Sequence, residues 1–410
     1  MVAMDFKTQR NTPTFFSLHA IAIITSAQLF GTSLWFSANS AALDLIREWH
    51  ITVADIGWLT NAVQAGFIIG TFLIAFTGFA DRFKASSIFT IAVLLGAFFN
   101  LCFAWFAHGL VDGMIYRFCV GICLAGIYPI GMKLVVQWAP NRAGQVLALL
   151  VSMLTLGSAL PHALNGLSAN LNWHYVITLS SILALIAASL IFMLGDSQNA
   201  KSAIKKVNKS SAFQVFKIPK FRASALGYFG HMWELYAFWT VLPLLIAHSG
   251  VLNILRFSNL ALTTFFVMAF GALGCLLGGY WSKKYGSDKV AIGALFTSGL
   301  SCLIFAIGWR SLPEWLILLV LIIWSASVIA DSPQFSALSS AACPPENLGA
   351  GLALQNSIGF AITIISIALT THAFDRIGLD STWILLIGPV LGIFGFYKTL
   401  ISSESKLTIR

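Results

Sequence analysis

Four ionisable side chains interrupt long apolar stretches of this sequence: Arg117, Lys133, Glu234 and Asp331. A charged group is costly in such surroundings, so it usually pairs with another or lines an internal cavity. Glu234 follows His231 by three residues, a spacing that places both on one helix face. A carboxylate beside an imidazole can exchange protons at accessible pH. We therefore expect Glu234 and His231 to form a proton-exchange site. The alternative is that Glu234 pairs with Arg117 or a hydroxyl group as a structural contact.

Arg117 and Asp331 are further candidates for this proton chemistry. Asp331 precedes Ser332 and Pro333, and proline removes a helical hydrogen bond, so a freed carbonyl and an acid would meet there. Arg117 would tune a neighbouring carboxylate or bind a substrate anion. The alternatives are structural, with Asp331 marking a helix break and Arg117 binding main-chain carbonyls. Lys133 is expected to extend its ammonium group to the nearest aqueous surface.

Aromatic rings and amides in the same stretches are candidates for the wall of a solute cavity. A ring offers a stacking surface, and an amide offers both donors and acceptors. The candidate aromatic residues are Trp35, Tyr128, Trp233, Tyr236, Trp239 and Trp324. The candidate amides are Gln28, Asn39, Asn61, Gln64, Asn259, Gln355 and Asn356.

The composition identifies the elements that must position these residues. The chain has 410 residues, of which 58% are apolar and only 10% charged, whereas soluble domains have about 25% charged residues. A water-soluble enzyme is therefore excluded. The sequence contains no phosphate-binding loop, no catalytic HExxH or GxSxG pattern and no paired-cysteine metal motif. We expect no enzymatic activity, no cofactor and no metal site.

Twelve apolar runs have the length of a membrane-spanning helix. Lipid offers backbone amides no hydrogen-bond partners, and the runs lack the alternation of barrel strands, so they must be helices. The runs are 15–41, 53–79, 86–107, 111–138, 144–169, 173–194, 222–248, 257–281, 288–309, 314–341, 348–373 and 381–400. The sequence thus predicts an all-α membrane protein with twelve transmembrane helices in two pseudo-symmetric six-helix bundles. The bundles are residues 1–194 and 222–410, joined by a polar cytoplasmic linker over 195–221.

The distribution of Lys and Arg predicts the orientation. Eighteen of the 24 lie in the termini or in loops on the side of the central linker, and such cations favour the cytoplasmic side. We expect a multi-pass protein of a bacterial inner membrane with both termini in the cytoplasm. The cations would contact anionic membrane lipid, and their spread over separate loops argues against nucleic-acid binding. Four cations lie on the opposite side, namely Arg47, Arg256, Arg310 and Arg376.

The two halves carry an internal repeat. Gly78 opens the loop GFADRFKASS, and Gly279 opens GYWSKKYGSDK at the equivalent place in the second half. A second echo pairs Pro129 with Pro333 at a separation of 204 residues. Repeated six-helix halves are typical of transporters, in which the solute site lies near the midplane between the halves.

The sequence resembles the major facilitator superfamily at three motifs. Gly78, Asp81 and Arg82 are similar to that family's second-to-third loop signature, and Arg117-x-x-x-Gly121 to its Arg-Gly signature. Pro140-Asn-Arg142-Ala-Gly144 is similar to its fourth-to-fifth loop. The resemblance implies two six-helix bundles that open alternately to either side of the membrane.

The loop signature also suggests a cytoplasmic latch made of Gly78, Asp81, Arg82 and Arg142. The carboxylate of Asp81 would accept hydrogen bonds from the beginning of the eleventh helix, with Arg82 as a nearby cation. The alternative is a solvated turn.

These patterns together predict a secondary active transporter of a small polar or amphipathic solute. It would work by alternating access with proton coupling. A proton-independent facilitator and a non-transporting membrane sensor on the same scaffold are the alternatives.

Overall fold

The computed structural model describes residues 15–168, 171–197, 209–255, 259–344 and 347–408, and over this part of the chain it is helical without β-strands. The prediction of an all-α protein with twelve spanning helices is confirmed. The long helices are α1 (Phe15–Thr32), α2 (Val53–Thr77), α3 (Ala85–Phe106), α4 (Leu110–Trp138), α5 (Ala143–Leu167), α6 (Trp173–Leu194), α7 (Pro219–His248), α8 (Leu260–Tyr285), α9 (Ser287–Gly308), α10 (Glu314–Ala342), α11 (Leu348–Ile377) and α12 (Ile387–Thr408).

The helices have the length and composition of membrane spans. Among the described residues, nine stretches are long and apolar enough to cross a bilayer, and one of them, Gly351–Ile401, includes parts of both α11 and α12. α1 contributes the shorter apolar helix Leu18–Thr32, and α7 is 30 residues long. Large apolar side chains such as Phe192 and Met193 are 77% and 84% exposed on the outer surface, as expected where a protein contacts lipid.

Three of the long helices that the structure describes are interrupted along their length. The first span, predicted to reach residue 41, ends at Thr32 and is followed by the short helices Ser37–Ser40 and Ala42–Glu48. α4 breaks before Tyr128, and α10 breaks at Asp331. In both, a proline lies in the first turn of the second segment, where its missing N–H costs no helical hydrogen bond.

The two halves repeat one packing scheme. In the first half α1 packs on α5 and α6, α2 on α4, and α3 on α6. In the second half α7 packs on α11 and α12, α8 on α10, and α9 on α12, which are the same pairs advanced by six helices. Glycine allows close approach in the α2–α4 and α8–α10 pairs, since a Cβ at Gly66 would lie 2.0 Å from the Phe118 carbonyl and one at Gly274 1.8 Å from the Ala326 carbonyl.

The halves meet along two equivalent helix pairs, α2 with α11 and α5 with α8. We call the face on which α6 ends and α7 begins the linker side, and the opposite face the distal side. Residues Lys209–Lys217 form a 3-10 helix and α7 begins at Pro219, so the end of the predicted linker is helical. Residues 198–208 lie outside the described residues, and the domain boundaries stay a prediction.

Candidate functional site

Arg117 holds the break in α1. Its Nη1 donates hydrogen bonds of 3.0 Å to the Leu34 carbonyl, the Ser37 hydroxyl and the Asn100 side-chain oxygen, and its Nη2 donates to the Trp35 carbonyl. Carbonyls at the end of a helix have no helical partner, so a cation stabilises them well. No carboxylate of the described residues lies within ion-pair distance of Arg117. The structural interpretation therefore accounts for its position, and its role in proton coupling stays a prediction.

The α1 break brings aromatic rings of both halves together. We call this group the central aromatic cluster, and all its members are buried. The ring centroids of Trp35 and Tyr236 are 5.7 Å apart, and those of Phe67 and Phe360 are 4.5 Å apart. Because these contacts join α1 and α2 to α7 and α11, the cluster closes the centre of the molecule between its halves. Its members are Trp35, Phe36, Phe67, Tyr236, Trp239 and Phe360.

His231 pairs with Asp331. Its Nδ1 lies 2.7 Å from Oδ1 of Asp331, and both side chains are 0% exposed. Neither Nε2 of His231 nor Oδ2 of Asp331 has a hydrogen-bond partner among the residues described. Asp331 stands at the α10 break, where the helix turns its side chain towards α7. The His231–Asp331 pair thus retains unused polar atoms in a buried place.

Glu234 does not pair with His231 and has other partners in the second half. Its Oε2 accepts a hydrogen bond of 2.8 Å from Ser298, and its Oε1 accepts one of 2.7 Å from the indole of Trp324. These partners belong to α9 and α10. The three-residue spacing correctly places Glu234 and His231 on one helix, but the imidazole pairs with Asp331 of α10 and not with Glu234. The role of Glu234 in proton coupling stays a prediction.

A polar layer lies on the linker side of the central aromatic cluster. At 1.5 Å per residue, His231 is about 7 Å from Tyr236 along α7, and Gln355 is about 7 Å from Phe360 along α11. Gln28 lies four residues before the end of α1 at Thr32, about 6 Å along the helix by the same rise, and therefore also on the linker side of Trp35. Gln28 and Gln355 are fully buried, and neither amide has a hydrogen-bond partner among the described residues. Unpaired buried amides are costly, so a solute or water that pairs with them would be stabilised.

A cavity of about 650 Å³ opens on the linker side of this layer. We call it the linker-side cavity. Tyr128 and Ser332 line its inner end, and Ser332 directly follows Asp331. A second cavity of about 360 Å³ lies on the distal side, lined by Asn39, Asn259 and other residues. Asn39 donates a 2.9 Å hydrogen bond to Thr60, so it already has a partner.

The remaining residues predicted to line a solute cavity lie outside the central aromatic cluster. The indole of Trp233 donates to the Ile384 carbonyl at 2.8 Å, within the second half, and Trp324 contacts Glu234 as described. Asn259 caps α8 by accepting from the Leu262 amide at 3.0 Å, and Asn356 is half-buried on α11. The structure therefore brings Trp35, Tyr236 and Trp239 together, but distributes the other predicted residues.

The predicted cytoplasmic latch stays a prediction. Gly78 ends α2 with a φ of 64°, a conformation that favours glycine, and Phe79–Arg82 forms one helical turn. The side chain of Asp81 lies outside the described residues. Arg82 is exposed, and Arg142 lines the linker-side cavity. Lys133 donates to the Ala80 carbonyl in the same turn.

A contact of the kind expected for the latch occurs on the distal side, where sequence reasoning placed none. Asp375, near the end of α11, accepts hydrogen bonds from the Val53 and Ala54 amides at 3.1 and 2.9 Å. These are the first amides of α2, so the carboxylate joins the halves at a helix N-terminus. The sequence feature that could have predicted this contact is the carboxylate of Asp375 in the last turn of α11.

Comparisons with known proteins agree with this architecture. The chain is 31% identical over 114 residues to the niacin transporter NiaP of Acinetobacter baylyi, covering 28% of this chain and 25% of that protein. It is 29% identical over 115 residues to solute carrier family 22 member 6 of Danio rerio, covering 27% of this chain and 20% of that protein. The match thus spans about a quarter of the length of these curated relatives.

Solved structures match over nearly the whole chain. A D-xylose-proton symporter superposes with a TM-score of 0.73 at 17% identity, covering 93% of this chain and 97% of that one. A partially occluded inward-open form of the E. coli xylose transporter XylE gives 0.73 at 14% identity, covering 94% and 98%. At such identities the likeness shows the fold alone. The family model described as Major Facilitator Superfamily matches residues 21–367. The chain therefore belongs to the major facilitator superfamily and is a multi-pass integral membrane protein with the transporter fold of that family.

Proposed function

We propose that this protein is a proton-coupled secondary transporter of a small polar solute, and that the His231–Asp331 pair carries the proton. The observation that carries the proposal is the position of this pair. It is buried at the α10 break, with unpartnered polar atoms, next to the linker-side cavity. The known substrates of the relatives, niacin and D-xylose, are small polar molecules, which supports this solute class.

The chemistry follows from the charge of the pair. With one proton between them, imidazole and carboxylate together are neutral, and a second proton makes the pair cationic. A buried net charge is costly, so the second proton is retained where the pair contacts water or a partner. A solute bound beside the pair can serve as this partner. Binding of the solute and of the proton would then favour the same conformation, which is the requirement for coupling.

The first test measures conformation without any solute. Spin labels at Lys84 and Lys284 report the separation of the halves on the linker side, and labels at Arg47 and Trp383 report it on the distal side. All four positions are exposed. We expect a change of pH to shift both distance distributions in the otherwise unchanged protein and to have little effect with Asp331→Asn. The matched control is Asp196→Asn, which also replaces a carboxylate by an amide; Asp196 follows α6 and accepts hydrogen bonds from the first amides of α3.

The second test measures flux in proteoliposomes with an imposed pH gradient. Nicotinate and D-xylose are the first solutes, because the relatives are named for them. We expect concentrative uptake of the accepted solute, with Asp331→Asn retaining exchange but losing accumulation. Equilibration without accumulation in the unmodified protein would instead identify a facilitator. Accumulation that persists with Asp331→Asn would contradict the assignment of the proton site.

A further inference from the structure

The linker-side cavity carries positive charge. Arg142 and Lys283 both line it, and none of the described residues that line it is an acid. Neither cation forms an ion pair with a described residue. The cavity lies between α4 and α5 of the first half and α8 and α10 of the second, so it borders the seam between the halves on this side.

Three helix beginnings border the cavity, and two of them add to this charge, since Asp288 in the first turn of α9 offsets the third. Ala143 at the beginning of α5, Ser287 at the beginning of α9 and Ser332 at the beginning of the second segment of α10 all line the cavity. The first amides of a helix lack helical partners and carry partial positive charge, so helix N-termini stabilise anions. The end of α8 also borders the cavity, and there Lys283 offsets the partial negative charge of the terminal carbonyls.

The inner end of the cavity offers neutral hydrogen-bonding groups. Gln334 and Tyr128 line it, and the unpartnered amides of Gln28 and Gln355 lie in the polar layer beyond. An anion that enters past the cations would therefore find hydrogen-bond donors and no competing carboxylate before it reaches the His231–Asp331 pair. Cations at a mouth raise the local concentration and the association rate of anions, an effect that salt screens.

We propose that the transported solute is a small organic anion, and that the linker-side cavity is its route to or from the polar layer. This inference rests on the proposed transport function and specifies the solute class. The shared chemistry is a carboxylate or phosphate group, which a soluble metabolite or a lipid headgroup could supply. The test separates these two sources.

The probes are three pairs of an acid and its neutral amide: benzoate and benzamide, nicotinate and nicotinamide, and succinate and succinamide. Binding is measured by tryptophan fluorescence on the full chain in nanodiscs of phosphatidylcholine, at constant pH and without a gradient. We expect at least one acid to bind, and to bind about tenfold tighter than its amide at low ionic strength. Equal affinity of acid and amide in every pair, or no binding by any acid, would overturn the proposal.

The variants locate the effect in the cavity. Arg142→Gln combined with Lys283→Gln should raise the Kd of the acid about fivefold at low ionic strength and much less at high ionic strength. Arg142→Lys combined with Lys283→Arg should retain affinity. Lys284→Gln is the matched control, because Lys284 is the next residue on α8 and does not line the cavity, its ammonium lying 5.1 Å from the Tyr285 ring. An unchanged Kd in the double Gln variant would contradict the inference.

A final arm adds anionic phospholipid to the nanodiscs. If the cavity binds a soluble anion, anionic lipid should change the Kd of the acid no more than the membrane surface charge predicts. The change should be the same in the unmodified protein and in Lys284→Gln. Displacement of the acid by anionic lipid that requires Arg142 and Lys283 would assign the cavity to a headgroup and overturn the solute proposal. Because the assay uses no gradient and no variant of the His231–Asp331 pair, the preference for acids is measured independently of proton coupling, so a failure of coupling in the flux assay is distinguishable from a failure of this inference.

Discussion

At the scale of single residues, Arg117 shows how one cation shapes the centre of the molecule. It contacts two main-chain carbonyls and two polar side chains around the α1 break. Replacement by Gln would leave several of these buried acceptors unpaired. We expect Arg117→Gln to lower the free energy of unfolding by about 3 kcal/mol, measured by SDS titration of the purified protein.

The comparison variant for Arg117 is Ser181→Ala. Ser181 accepts a 2.9 Å hydrogen bond from Asn100 and donates one of 3.0 Å to the Ile177 carbonyl, so this change removes two neutral bonds and leaves the cation in place. Its expected cost is about 1 kcal/mol. A cost for Arg117→Gln no larger than that for Ser181→Ala would show that Arg117 does not hold the break.

Residue types were easier to predict than residue partners. Ionisable groups in apolar runs stand out in any sequence, and His231, Glu234, Asp331 and Arg117 are all buried as expected. Helical spacing correctly places His231 near Glu234 along α7. Which acid contacts the imidazole depends on how α10 breaks and turns towards α7, and spacing within one helix holds no information about that.

At the scale of helices, the break in α10 was expected from Pro333, and its counterpart in the first half, Pro129, lies in the first turn after the break in α4. The break in α1 was not expected, because its segment contains no proline. It is stabilised from outside, by a cation on α4. A local pattern therefore predicts breaks with a local cause, whereas breaks caused by tertiary contacts escape it.

The distal contact of Asp375 gives a prediction at this scale. Asp375→Asn would remove the negative charge with which α11 binds the Val53 and Ala54 amides at the beginning of α2. We expect a several-fold larger population open on the distal side, read from spin labels at Arg47 and Trp383. The physical reason is that the carboxylate stabilises only the conformation in which the two helix ends meet.

Asp55→Asn is the matched control for Asp375. Asp55 accepts a 2.9 Å hydrogen bond from the Thr52 amide at the same end of α2, but within one half. It should leave the distance distribution unchanged. An equal effect of both variants would mean that α2 itself has been destabilised, and that Asp375 does not hold the distal side closed.

At the scale of the whole molecule, the halves and their repeat were predictable because hydrophobic length and duplicated motifs extend along the chain. The conformation was not. Whether the distal or the linker side is closed depends on small differences between contacts such as those of Asp375 and the central aromatic cluster. The linker-side cavity likewise arises from the arrangement of four helices, and no single motif marks it.

The orientation in the membrane is a prediction at the same scale. We expect the linker side to face the cytoplasm, since most cations lie there. A cysteine introduced at Trp383 should react with a membrane-impermeant maleimide in intact cells, and one at Lys284 only after permeabilisation. The reverse pattern would contradict the topology and place the linker-side cavity outside the cell.

The two equivalent seams between the halves differ in one respect. On the distal side the α2–α11 seam is fastened by the carboxylate of Asp375, whereas the α5–α8 seam is fastened by Asn259, whose amide donates to the Gly166 carbonyl at 2.8 Å. Salt weakens only the charged fastening. The two halves are therefore joined unequally on the distal side. At high ionic strength we expect α2 and α11 to separate there first, with the halves rotating about the α5–α8 contact as a hinge.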